Sequence, residues 1–282
     1  MVWADISFRT ISHIAMNDPA SGLRNTLVAE QIINGYVANQ VLAIRRLLDG
    51  RKDVISLRRL LIDMRSNFHL FTRENCVCYN GLPYDYEAIR EKDYVSRPVE
   101  PGRPQVFWVS TTGPDGWGGS QAAHHHFDKM ANILPQNRKR SDRLPSSLLD
   151  AVESWLEHTD ANELADWSHA YLAHAGNPAN RERIKDAQVT NAKITEAIKC
   201  ISRATEALSS DILYHAGRMN ALMPTPQFDQ FDGLNQPLMK AEAEEEAREL
   251  WKSLTQERDA SLGEVTSDLI AYRDRKENGP SV

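Results

Sequence analysis

Cysteine is scarce in this chain. Cys76, Cys78 and Cys200 are its only thiols, an odd and sparse set that argues against a disulfide framework and for a reducing compartment. Long apolar runs are missing as well. No stretch reaches the ~20 residues that span a bilayer, and the opening MVWADISFRTISHIAMNDPASG lacks a basic leader followed by an unbroken apolar segment. The sequence therefore predicts a cytoplasmic protein with no membrane contact. Positive charge is not in excess either: 33 Lys and Arg against 39 Asp and Glu leave a formal charge of -6. That excludes a global field gathering nucleic acid, so any RNA contact must be local. A Walker loop, a dinucleotide-binding glycine fingerprint, HExxH and GxSxG are all absent, which disfavours hydride transfer and the common hydrolase chemistries.

Helical periodicity is what the chain does have. From Gly22 to Leu48 the apolar positions Ala29, Ile33, Val37, Val41, Ile44 and Leu48 recur at steps of four and three, the period of one helix face. Asp49-Gly50 closes this helix. Ser56 is placed to cap a second one, striped by Leu57, Leu60, Leu61, Met64 and Phe68, so the pair reads as a helical hairpin. Periodicity returns with PSSLLDAVESWLEHT and DANELADWSHAYLAHA. It then continues in a segment, about Arg181 to Leu213, whose Ile184, Ala187, Ile194, Ile198, Ile201, Leu208 and Ile212 share a face.

Between about residues 76 and 144 the pattern gives way to turn chemistry: Asn80-Gly81, prolines at 98, 101 and 104, and TTGPDGWGGS. An irregular, loop-rich insertion is expected there, with Gln105 to Thr111 as an isolated strand or hairpin arm. With a core serving roughly 100–200 residues, the organisation reads as a helical domain over 1–220, a linker over 221–237 and a C-terminal helical extension over 238–282. The acidic run EAEEEARE in that extension reads as a solvated helix face.

Several side-chain groups can carry chemistry. His124, His125 and His126 with Asp128, and Cys76 with Cys78, have poor spacing for a metal: paired zinc-binding cysteines are usually two to four residues apart. No metal or cofactor is expected. Tyr79, Tyr84, Tyr86 and Tyr94 offer faces for base stacking but have few basic residues interleaved among them, so packing is the simpler role. Ser168-His169-Ala170-Tyr171-Leu172-Ala173-His174, just before Arg181 and Arg183, places two imidazoles and two cations close together. Imidazoles serve as acid or base near neutrality, and guanidinium groups stabilise charge on phosphoryl oxygens.

The order of parts, carried by Arg45-Arg46-Leu47-Leu48-Asp49, Ser56-Leu57-Arg58-Arg59-Leu60-Leu61 and Ala173-His174-Ala175, resembles the HEPN superfamily and its abortive-infection type U branch. The resemblance covers about residues 20–215. It implies an all-α HEPN-like bundle and a homodimer. It also implies a metal-independent endoribonuclease of phage defence or a toxin–antitoxin pair, with RNA as substrate and an antitoxin or other regulatory protein as partner. A dimeric module that binds RNA, a nucleotide or a protein without catalysis is the alternative. His174 matches the histidine of the family's Arg-x4-6-His element, while His169 stands where that element has arginine; Arg65-x3-His69 is one residue short. On an α-helix residues five apart diverge by about 140°, so convergence of His169 and His174 needs an irregular turn at His169 or a second copy. Arg46 or Arg45, with Asp49 orienting it, is the expected replacement cation, and Arg181 and Arg183 are further phosphate contacts.

Overall fold

The computed structural model describes residues 1–97, 107–173, 181–182, 184, 186–213, 232–234, 236–238 and 243–263. The described chain is all-α. Its helices are α1 (Val2–Asn17), α2 (Thr26–Leu48), α3 (Leu57–Ser66), α4 (Arg73–Cys78), α5 (Tyr86–Ser96), α6 (Trp117–Ala131), α7 (Ser147–Leu156), α8 (Thr159–Ser168), α9 (Asn191–Glu206) and α10 (Ala243–Gly263). π-helical segments, His169–Ala173 and Ala207–Ile212, continue α8 and α9. The chain divides into two compact units, Met1–Thr225 and Pro226–Val282. Among the described residues no helix is long and apolar enough to cross a membrane.

Caps set the boundaries of the bundle helices. The Asn25 side chain accepts from the amides of Leu27 and Val28 to start α2, Ser56 accepts from Arg59 to start α3, and Thr190 accepts from Lys193 to start α9. Each satisfies an amide that a helix N-terminus leaves without a partner. The stripe of α9 is buried as its period predicts, through Ile194, Ile198 and Ile201, and Leu208 and Ile212 extend it into the π segment. The helix is shorter than the expected Arg181–Leu213, however, because the Thr190 cap begins it there and Ile184 and Ala187 lie before it.

On α2 the inward face is Tyr36, Gln40, Val41, Ile44 and Leu48. Ile33, expected on that face, is exposed. The face is rotated because α1 covers it: the Phe8 and Tyr36 rings stack 3.8 Å apart, the Tyr36 hydroxyl donates to Asp5 at 2.6 Å, and Gln40 donates to the Met1 carbonyl at 3.0 Å.

The insertion departs from its expected irregularity, since α5 and α6 lie within it. Phe127 and Leu144 join the main apolar core, and Phe107 to Thr111 form no strand. The helix α6 escapes a hydrophobicity reading because polar residues share its inward face: Ser120, His124 and Asp128, four residues apart, are buried beside Ala123 and Phe127. Each has a partner. Ser120 donates to the Pro83 carbonyl and His124 Nε2 to the Tyr84 carbonyl. Asp128 receives Arg73 at 2.7 Å and Arg138 at 2.5 Å. Arg73 is 0% exposed, bonds Asp142 at 2.9 Å as well, and lies over the Phe127 ring.

In the second unit α10 confirms a helix within the C-terminal extension. Leu250, Trp251 and Leu254 are exposed there.

Candidate functional site

Helix α7 ends where α8 begins, and Arg58 at the start of α3 donates to the Leu156 carbonyl at 2.9 Å. The Ser56 hydroxyl, one turn away, bonds the Asp49 carbonyl at the end of α2. The N-terminus of α8 is thereby anchored beside the C-terminus of α2. From there α8 packs along α2, and the π turn that follows packs against α2 in turn. Ala161, Leu164 and Ser168 face inward. Lys193 of α9 clasps Glu163 at 2.5 Å from the other side.

At Ser168 the regular helix ends. His169 to Ala173 form a π turn, with His169 and Tyr171 exposed and Ala170 buried. An irregular turn at His169 is one of the two arrangements under which His169 and His174 can converge. A π turn repeats at i→i+5, the sequence spacing of His169 and His174, and such turns are enriched at functional sites. His174 itself, like Arg183, lies outside the described residues.

Tyr171 is the hub of what the structure places around this turn. Trp167 tilts against it with ring centroids 5.2 Å apart, and the guanidinium of Arg181 sits 5.7 Å from its ring centroid. Arg181, expected as a phosphate contact, is thus brought to the turn.

Arg46 is not. It is exposed in the last turn of α2, beside the start of α8, whereas His169 follows the end of α8. Ten residues of helix at about 1.5 Å each separate them by roughly 15 Å within one chain. Asp49 does not orient Arg45 or Arg46 either. Its carboxylate is gripped by Arg51 at 2.9–3.1 Å, and those hydrogen bonds hold it below the usual carboxylate range, with Arg45 adding a smaller pull. Within one chain the two ends are apart because sequence proximity to the end of a long helix does not say which neighbour starts there. The short element at Arg65 and His69 is structural: Arg65 is taken up by Asp150 at 2.8 Å and Glu153 at 2.6 Å.

The three consecutive histidines lie on α6, not on a loop, so their side chains point about 100° apart. His124 is buried and His125 exposed, while His126 bonds the Asp211 carbonyl at 2.6 Å. Burial pushes the Cys76 thiol up to about 11, which keeps it protonated and a poor ligand. A mostly apolar groove of about 390 Å³ runs between α3, α4 and the second π segment, with Met64, Phe71, Cys76 and Ile212 on its walls; it is apart from the turn at His169.

The described chain is thus an all-α bundle in which a π turn carries an exposed histidine, with an arginine–tyrosine pair at the same turn. The chain belongs to the HEPN AbiU2 family, an abortive-infection branch, whose profile matches residues 2–231. No curated protein and no solved structure matches the chain.

Proposed function

We propose that the protein is a metal-independent endoribonuclease of phage defence or of a toxin–antitoxin pair, with its site at the π turn. The observation that supports this reading is the change from α to π geometry at His169, the stretch onto which the resemblance carries the Arg-x4-6-His element through His174.

In the proposed reaction His174 takes the proton from an RNA 2′-hydroxyl, whose oxygen attacks the adjacent phosphorus. The bond from phosphorus to the 5′-oxygen breaks and that oxygen takes a proton from water, with His169 as the partner group at the phosphate where the element has arginine, leaving a 2′,3′-cyclic phosphate and a 5′-hydroxyl. Arg181 stabilises the charge gathering on the phosphoryl oxygens, the part first expected of Arg46. Arg45 and Arg46 reach this phosphate only from a second copy. The missing arginine at position 169 favours the second reading, a dimeric module that binds RNA, a nucleotide or a protein without cutting.

The test is incubation of purified protein with single-stranded RNA in chelator. Metal-free cleavage is expected, falling by about 10²–10⁴-fold in His174→Ala. Arg181→Ala should slow it more than Arg46→Ala, and His169→Arg should preserve or raise it. A wild type whose rate is untouched by His174→Ala moves the site elsewhere. If neither the wild type nor His169→Arg cuts, the nuclease reading is wrong.

A further inference from the structure

The insertion carries a second feature that the chemistry at the π turn does not use. Along α5, Arg90, Tyr94 and Arg97 follow one another at steps of four and three, so they share one helix face. Arg97 lies 5.3 Å from the Tyr94 ring centroid and 4.6 Å from that of Phe107. Arg90 sits 5.7 Å from the ring centroid of Tyr86, one turn earlier. Cations and aromatic rings therefore alternate along the stripe, from the buried Tyr86 to the exposed Tyr94, with Phe107 arriving from a separate segment.

That segment is firmly seated. The Gly118 amide donates to the Ser110 carbonyl at 3.2 Å. A Cβ on Gly118 would overlap Val109, and one on Gly119 would overlap the Thr111 carbonyl oxygen, so the strap lies directly on the first turn of α6. Phe107 meets Arg97 and Val109 meets Gly118, while Trp108 between them stands in solvent. Trp108 is 96% exposed and Tyr94 is 55% exposed. An indole left fully in water on a strap this closely packed forgoes the burial that its large apolar surface favours.

We infer that the α5 stripe and the strap form a base-stacking platform for single-stranded RNA, in which bases lie on Trp108 and Tyr94 while Arg90 meets phosphates and Arg97, its side chain only 11% exposed, holds the Tyr94 and Phe107 rings in place. Every base has a π face, so such a surface binds single strands with little regard to sequence. Arg97 is paired to Asp93, which also accepts from the Trp117 indole at 2.8 Å. Stacking rather than net charge is accordingly the main source of affinity, and binding should weaken less steeply with salt than at a lysine-rich groove. The platform is distinct from the π turn: α6 packs on the π segment ending α9, while Lys193, in the first turn of α9, pairs with α8. It rests on the RNA reading above but not on catalysis.

The test uses the full chain and a fluorescein-labelled, 2′-O-methylated single strand of mixed sequence, which cannot be cut because its attacking hydroxyl is blocked. Anisotropy should report binding that weakens about tenfold or more in Trp108→Ala and in Tyr94→Ala. Trp108→Phe should restore most of it, and a duplex of the same sequence should bind far more weakly. Both substituted side chains are exposed, and unchanged circular dichroism checks that the fold is kept. Equal binding by wild type and Trp108→Ala overturns the platform even if the protein cuts RNA. Binding through Trp108 by a protein that never cuts keeps the platform and removes the nuclease. If the strand does not bind and Trp108→Ala instead changes self-association on a sizing column, the surface is a protein contact and the RNA platform is wrong.

Discussion

Asp128 shows how much a single buried residue holds together here. Desolvation raises its affinity for a proton, but hydrogen bonds from Arg138 and Arg73 outweigh it and keep the carboxyl below its usual range. Removing the carboxylate leaves the fully buried Arg73 with Asp142 alone. Asp128→Ala should lower stability by about 3–5 kcal/mol, the usual effect of stranding a buried charge. Urea unfolding checks this, and a loss under about 1 kcal/mol would contradict the assignment. His124 acts in another pH window. Burial lowers its affinity for a proton, and the neighbouring Arg138 and Arg73 add to that against the Tyr84 carbonyl. The native state therefore binds fewer protons than the unfolded chain. Its contribution is complete above the unfolded value of about 6.5 and is lost as pH falls below it. The melting temperature should drop between pH 7 and pH 5, and His124→Gln, which keeps a donor for the Tyr84 carbonyl, should flatten that drop. Identical pH profiles for the two proteins would count against a buried neutral His124.

Among the elements, the turn at His169–Ala173 carries the functional argument. A π turn accommodates one residue more than an α turn would, so shortening it by one resets the ladder to α and turns every later side chain by about 100°. Deleting Ala173 should leave helicity nearly unchanged while lowering RNA cleavage at least 100-fold; retained cleavage in a folded deletion variant would separate the chemistry from the turn. The elements also differ in how far they can be read from residues. In α3 and α9 apolar stripes and a Ser or Thr cap agree, so helix, face and start are all legible. In α6 they disagree with the structure, because Ser120, His124 and Asp128 occupy the inward face and only their partners on distant segments make that burial tolerable.

For the whole molecule, the proposed chemistry needs two copies if Arg45 or Arg46 is to take part, and exposed apolar side chains on α2 and on the turn offer a contact for a second copy. Ile33 on α2 and Tyr171 and Leu172 on the turn are exposed. Gly35 sits within α2 with nothing inside 4 Å of where a Cβ would stand. A glycine there costs the helix roughly 0.5–1 kcal/mol against alanine, and no neighbour among the described residues requires its small size. Light scattering should report a dimer at micromolar concentration, and Leu172→Glu or Ile33→Glu should dissociate it; a monomeric wild type would remove this arrangement. By itself the sequence determined the helical class, the hairpin of α2 and α3 and the stripe of α9. Those depend on local periodicity, capping and short motifs, which neighbouring residues decide among themselves. Tertiary structure alone decided that Arg181 rather than Arg46 stands by the turn, that Asp49 serves Arg51, that the insertion is helical and that Trp108 points outward. Each of these turns on which distant segment packs alongside, and local periodicity carries no record of that choice.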